Sequence, residues 1–303
     1  MALTHENPMI SQDFRVLSER ENNMIVVTGA TGNVGRPLLQ ALAAADERVT
    51  AVSRTAASAA QLPDGVRHQT ADLADPASLA TALAGAEALY VLVAADAARL
   101  SPRDIVGAAK AAGVGRIVLQ SSQGAETRPR NASHDHLRAF EDAVRQGGTE
   151  WTILRPGGFA SNAYQWAETV RTGRTAAAPF ADVALPVVDP ADIADVAAAA
   201  LRDGRHAGRT YTLTGPAALT PRDQVAAIGA ALGEPVRFVE LSREEARVNL
   251  LRFMPEPVVD GTLAIIGAPS PAEQRVSPDV ELVTGRAART FADWAVRNAA
   301  AFK

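Results

Sequence analysis

Three glycines stand in the run Thr28-Gly29-Ala30-Thr31-Gly32-Asn33-Val34-Gly35. The apolar, mostly β-branched Met24-Ile25-Val26-Val27 leads into it, and an apolar-periodic segment from Arg36 to Ala45 follows at once. Glycine accepts backbone angles closed to other residues and lets a ligand approach the main chain without meeting a Cβ. A helix that starts at such a turn aims unpaired N–H groups and the positive end of its dipole at the guest, which is therefore an anion, most simply a pyrophosphate. The chemistry this spacing offers is dinucleotide binding, with Gly29, Thr31, Gly32, Asn33, Val34 and Gly35 as the cradle.

A second chemical group stands where Arg48–Ser53, a second strand, runs into Arg54. In a dinucleotide fold an acidic residue at this place binds the ribose 2′-hydroxyl, whereas an arginine accommodates a 2′-phosphate. No Asp or Glu occupies positions 51 to 60. NADP(H) is the expected cofactor, with NAD(H) as the alternative; Arg54 pairs the phosphate and Ser53 or Thr55 assists. The plainer reading of Arg54 is a solvated side chain after an edge strand.

These residues need a frame. Gly65 to Leu73 reads as a third strand ending in Asp72-Leu73, and Pro76 to Leu83 as a helix with Asp75 as N-cap. Ala88 to Ala94 is the continuous apolar run of a buried parallel strand. Arg103 to Ala112 is a helix stopped by Gly113, and Arg116 to Ser122 a fifth strand. Ser133 is the expected N-cap of a helix from His134 to Gln146, and Trp151 to Leu154 is a sixth strand leading into Arg155-Pro156-Gly157-Gly158-Phe159. Repeated βα units predict an α/β fold: a doubly wound parallel sheet whose ligands bind at the carboxyl ends of the strands.

Those ends add Asp72, Leu73, Val93, Ala94, Ser121, Pro156 and Gly157 to the cofactor site, and Ser122 as a candidate catalytic residue. Asp72 either accepts from an adenine amino group or forms a turn. Ser121 and Ser122 either meet the nicotinamide and substrate or cap strand-end backbone groups. Beyond them, Ser161 to Val170 reads as helix, and Phe159, Asn162, Tyr164 and Trp166 as the wall of a substrate pocket or as core. Leu185 to Asp189 reads as a short strand, Asp189-Pro190 to Leu201 as a helix, and Arg209 to Leu213 as another strand. Thr220-Pro221 opens a helix that Gly233 ends; Val236 to Glu240 is a strand, Arg243 to Phe253 a helix, and Ala287 to Ala300 the final helix. The expected organisation is a flexible extension (1–23), a nucleotide-binding domain (24–160) and a smaller, discontinuous α+β substrate lobe (161–303) within the same globule.

Composition narrows the function classes. Among 303 residues there is no cysteine, which excludes disulfide scaffolds, thiol catalysis and cysteine-based metal centres. A net charge of −4 gives no footprint for nucleic acid, and no apolar run reaches membrane-spanning length. A cytoplasmic protein with no nucleic-acid or membrane partner is expected.

With Thr28-Gly-Ala-Thr-Gly-Asn-Val-Gly35, Arg54, Asp72-Leu73, Ser121-Ser122, Trp151-Thr-Ile-Leu-Arg-Pro-Gly-Gly-Phe159 and Pro186-Val-Val-Asp-Pro-Ala-Asp-Ile-Ala-Asp-Val196 in order, the chain resembles the NmrA-like group of atypical short-chain dehydrogenases over about residues 24 to 300. The resemblance implies a Rossmann-type domain binding NADP(H) and a variable substrate lobe. It also implies one of several activities: NAD(P)H-dependent reduction of quinones, azo compounds or aromatic and isoflavone-type compounds, or redox sensing through a nucleotide bound without turnover.

The chain departs from the wider class at its proton donor. Short-chain dehydrogenases commonly use Tyr-x-x-x-Lys, and Tyr90, Tyr164 and Tyr211 have no lysine four residues on. His136 stands about where the lysine would be and is a candidate proton donor or ribose anchor; a solvated histidine at a helix start is the alternative. His134, Asp135 and His136 do not suggest a metal site, since positions two apart on a helix face different ways and no third ligand is apparent. The leading expectation is an NADPH-dependent reductase transferring hydride to a quinone-like or other conjugated aromatic carbonyl compound. The alternatives are an NADP(H)-sensing regulator and a non-redox isomerase, cyclase or dehydratase on the same scaffold.

Overall fold

The computed structural model describes residues 24–55, 62–93 and 99–303; the extension 1–23 and Ala94 lie outside them. Seven parallel strands form the central sheet. These are β1 (Met24–Thr28), β2 (Arg48–Ser53), β3 (Arg67–Thr70), β4 (Ala86–Leu92), β5 (Arg116–Gln120), β6 (Glu150–Pro156) and β8 (Arg209–Leu213), in the order β3-β2-β1-β4-β5-β6-β8. The order reverses at β1, where Thr28 pairs with Val52 of β2 on one side and Val27 with Tyr90 of β4 on the other. A crevice at such a reversal is the standard ligand position of a doubly wound sheet. Among the described residues no helix is long and apolar enough to cross a membrane.

Helices α1 (Gly35–Ala44), α2 (Pro76–Leu83), α3 (Pro102–Ala111) and α5 (Asp135–Gln146) cross between the strands, with the short α4 (Gly124–Thr127) after β5. Asp75 and Pro76 start α2 as expected, the aspartate accepting from the Ala77 N–H. Three sequence boundaries are corrected. β3 stops at Thr70 because Asp72 turns the chain, its carboxylate accepting from the Ala74 N–H at 2.9 Å. β5 stops at Gln120, since Ser122 and Gln123 already enter the turn of α4. A 3-10 turn (Ala132–His134) precedes α5, and its cap is Asn131 rather than Ser133: Asn131 Oδ1 accepts from both the N–H and the hydroxyl of Ser133.

After β6 the chain makes a 3-10 helix (Ala160–Trp166) and α6 (Ala167–Gly173), then β7 (Thr175–Pro179). Next come α7 (Pro190–Arg202), β8, α8 (Pro221–Leu232), β9 (Arg237–Leu241), α9 (Arg243–Leu250), α10 (Glu256–Gly267), α11 (Asp279–Thr284) and α12 (Phe291–Arg297). β7 and β9 form a separate two-stranded parallel sheet. Leu185 to Asp189 is not a strand; it makes only two isolated bridges, Leu185 with Leu219 and Val188 with Phe159. Helix α7 packs against α1 in the core that holds Tyr90, Val118 and Leu154, and β8 completes the sheet beside β6. Residues from beyond 160 thus build one face and one edge of the nucleotide-binding layer.

The carboxylates of the Pro186–Val196 motif fasten the C-terminal arm to α7. Asp189 caps α7 through the Ala191 N–H and pairs with Arg297. Asp192, fully buried, accepts from Arg286 at 2.8 Å and from the Arg289 side chain at 2.5 Å and N–H at 2.7 Å. Removing one partner from such a buried cluster costs about 3–5 kcal/mol, because the other charge stays buried without it.

Candidate active site

The glycine turn closes tightly enough that each glycine has a distinct reason. Gly29 lies at φ +64°, and a Cβ there would stand 2.3 Å from Leu92 Cδ2. A Cβ on Gly35 would stand 2.2 Å from the Gly29 carbonyl oxygen, so α1 approaches the turn only as glycine. At Gly32 a Cβ would crowd the Gly29 carbonyl oxygen at 3.3 Å but meet no other heavy atom within 4 Å, so away from that oxygen the corner is open for a ligand's phosphates. Thr28 locks the strand ends: its hydroxyl donates to the Tyr90 carbonyl at 3.0 Å and accepts from the Leu92 N–H at 2.9 Å. Val34 is buried in the core, and Asn33 donates to the Ser161 hydroxyl at 3.2 Å, tying the turn to the segment after β6. The donor set and the open corner fit a dinucleotide pyrophosphate.

At the adenosine end, the Ser53 hydroxyl donates to the Thr55 carbonyl at 3.0 Å and lies 2.8 Å from His68 Nε2. Asp72 takes the turn-forming role that the sequence left open, and Leu73 packs against the neighbouring core.

At the other end of the cleft the two adjacent serines differ. Ser121, buried, donates to Glu141 Oε1 at 2.6 Å. Glu141 also accepts from Arg155 at 2.7 and 2.9 Å and from Arg145 at 2.9 Å. Burial acts to raise the Glu141 pKa, but the hydrogen bonds from Arg155 and Ser121 and the charge of Arg155 outweigh it, holding the carboxyl below its ordinary range. Ser122, half-buried, accepts from the Gly124 N–H at 3.1 Å, and among the described residues none accepts its proton. Gln123 bridges the turns, its N–H donating to Pro156 and its side chain to the Ala272 carbonyl, while Gly157 donates to Leu213 of β8.

Tyr90 points into the core and donates to Gln120; burial pushes its pKa far up, so it is no acid for a substrate. His136 is half-buried, and its pKa is lowered, chiefly by burial, with Asp135 raising it and Arg138 lowering it further. Of the proposed pocket wall, Trp166 is buried in the lobe's own core and donates its indole N–H to Ala177. Tyr164 stacks on Phe302 and meets Trp294 edge-on. Trp166 takes the core reading; Tyr164 stays exposed, its hydroxyl donating to Asn298, while Phe159 packs at the edge of the main core and Asn162 is an exposed polar side chain. Val93 follows β4 and packs against the core, and Pro156 is the buried last residue of β6.

The sequence reading missed Glu141, Gln123 and Glu273. Glu273, 3% exposed, binds Arg128 through two nitrogens, the Thr127 hydroxyl and the Ser270 N–H, and so straps the segment after α10 to the turn after β5. Burial acts to raise its pKa, yet these bonds bring it down to about 2. No spacing signal marks it, because its partners lie far off in sequence. Arg155 was at least visible within the Trp151–Phe159 motif. Among the described residues, no group of three metal-ligating side chains comes together. A groove of about 560 Å³ runs between α3 and α5 on the flank of the helix layer, away from the glycine turn.

Fold and cleft together define a dinucleotide-binding protein with a doubly wound sheet. The family model described as NAD(P)H-binding matches residues 29–204, and the chain belongs to that family, in the NmrA-like class of atypical short-chain dehydrogenases. It is an NAD(P)H-dependent oxidoreductase with NADP(H) as cofactor. Over 284 residues, 92% of this chain and 99% of the relative, it is 37% identical to a (4-alkanoyl-5-oxo-2,5-dihydrofuran-3-yl)methyl phosphate reductase of Streptomyces griseus. An NAD(P)H azoreductase of Xenophilus azovorans is 34% identical over 92% of this chain and 99% of its own. The solved NADPH complex of a quinone oxidoreductase from Escherichia coli superposes with a TM-score of 0.76, at 26% identity, covering 90% of this chain and 99% of that one.

Proposed function

We propose that this reductase transfers hydride from NADPH to an electron-poor conjugated carbonyl compound of quinone-like or aromatic type, with Ser122 supporting the substrate oxygen. The observation that carries this reading is the difference between the two serines: the Ser121 proton is committed to Glu141, whereas the Ser122 hydroxyl has a backbone donor and keeps its proton to give. When bound, NADPH supplies the hydride. The Ser122 hydroxyl donates to the carbonyl oxygen on which negative charge develops, and passes its proton on with replacement from solvent. The Gly124 N–H, bonded to Ser122 Oγ, steadies the serine as it does so. An acceptor this electron-poor needs no lowered-pKa tyrosine, which accords with the missing Tyr-x-x-x-Lys. The acceptors in the relatives' names, azo compounds, quinones and an unsaturated furanone, share that character.

In the same reading Gly29 to Gly35 hold the pyrophosphate and Arg54 pairs the 2′-phosphate. Residues 24–160 with α7 and β8 form the nucleotide-binding unit, and the rest of the chain the substrate lobe. Phe159, Asn162 and His136 border the substrate, and the protein works in the cytoplasm as a monomer or homodimer. The test is loss of the nicotinamide absorbance with a panel of quinones, unsaturated lactones and azo dyes, alongside calorimetric binding of NADPH. Consumption by at least one acceptor is expected. Binding without consumption by any of them refutes the reductase assignment in favour of a sensor or a non-redox enzyme.

A further inference from the structure

Between Met24 and Asp75, the half of the sheet that takes the adenosine end, the only cationic residues are Arg36, Arg48, Arg54 and Arg67. Arg48 and Arg67 open β2 and β3 and so lie at the amino edge of a parallel sheet, opposite the ligand edge. From Thr55 to Val66 the sequence contains no lysine or arginine at all. Two arginines therefore remain for the ligand side, Arg54 and Arg36.

A phosphate monoester carries about −1.5 to −2 charge near neutrality, which one guanidinium neutralises only in part. The sequence reading gave the remainder to Ser53 or Thr55; of these, the Ser53 hydroxyl spends its single proton on the Thr55 carbonyl and has His68 Nε2 at 2.8 Å as its other neighbour. Arg36 is exposed on the first turn of α1 and, among the described residues, pairs with no carboxylate. It lines a cleft of about 300 Å³ together with Ala30, Thr31, Gln40, Leu62 and Pro63. Because Thr28 pairs with Val52, Arg54 follows two residues beyond the partner of Thr28, beside the same turn whose Ala30 and Thr31 line the cleft.

We propose that Arg36 is a second ligand of the NADP(H) 2′-phosphate, acting from the 300 Å³ cleft on the α1 side of the glycine turn, with the Thr31 hydroxyl as a neutral donor. This rests on the reading of Arg54 given above. The pair, rather than Arg54 alone, sets the preference for NADP(H) over NAD(H).

Calorimetric titration of wild type, Arg36→Ala, Arg36→Lys and Arg54→Ala with NADPH, NADH, 2′,5′-ADP and 5′-AMP tests this without turnover. Arg36→Ala is expected to weaken NADPH and 2′,5′-ADP by roughly ten- to a hundred-fold and to leave NADH and 5′-AMP within about two-fold. Arg36→Lys keeps part of the difference, and the effect shrinks as salt is raised. An unchanged NADPH-to-NADH ratio in Arg36→Ala, with the ratio collapsing in Arg54→Ala, overturns the proposal and spares the Arg54 reading. Equal weakening of both nucleotides by Arg36→Ala also overturns it, since Arg36 then serves the pyrophosphate or the fold. A wild type that binds NADH as tightly as NADPH defeats the 2′-phosphate reading of both arginines.

Discussion

The Ser121 hydroxyl donates to Oε1 of Glu141 across 2.6 Å, and the same carboxylate, 2% exposed, is held by Arg155 and Arg145. The strand end that faces the reactive part of the cleft is thus fixed from below by a carboxylate on α5. Glu141→Gln leaves two guanidinium groups without their shared anion, and is expected to cost at least about 2 kcal/mol of stability. Urea denaturation checks this; a midpoint equal to wild type refutes it.

Gly35→Ala forces a methyl to within 2.2 Å of the Gly29 carbonyl oxygen and 2.7 Å of the Ala30 backbone. Backbone cannot yield as a flexible side chain does, so α1 must tilt away from the turn. NADPH affinity is expected to fall at least about ten-fold, with a lower melting temperature. Unaltered affinity in calorimetry would contradict the close approach of α1 to the cradle.

Ser122→Ala removes one donor from the substrate oxygen, and with it the half-buried acceptor of the Gly124 N–H. A fall in kcat of roughly 10²-fold with unchanged NADPH affinity is expected. Ser121→Ala is expected instead to act on stability through Glu141. Steady-state kinetics of the two variants side by side separates these roles, and equal kcat losses would count against the division.

Glu273 gives the pH dependence a definite sign. Its folded pKa of about 2 lies below the ordinary glutamate value, so its contribution to stability is present above the unfolded pKa and is lost as pH falls toward 2. The contribution is roughly 2–3 kcal/mol. Between about pH 4.5 and pH 2, wild type should lose more stability than Glu273→Gln, as read by thermal melts across that range. Parallel curves for the two proteins would rule it out.

The sheet was legible from sequence because its signals are local. β2 and β8 fall at their expected limits, and the helices begin where Asp75, Asp189 and Thr220 cap them. β7 was not legible: Thr-Ala-Ala-Ala-Pro has no alternation and a single β-branched residue, Thr175, and it is a strand only because β9 pairs with it. Helices α10 and α11 were missed as well. In the site, the glycines could be read because backbone geometry restricts residue type. The roles of Ser121, Tyr164 and Trp166 could not, since each depends on partners 11 to 138 positions away.

The order in which the sheet is completed has a consequence for synthesis. Six strands are available once residue 156 has left the ribosome, but α7, which covers Tyr90, Val118 and Leu154, ends only at Arg202. At about 5–20 residues per second the nascent chain carries that apolar face bare for some seconds. Chaperone capture of this protein should therefore concentrate on chains stalled within that interval and fade once α7 has docked.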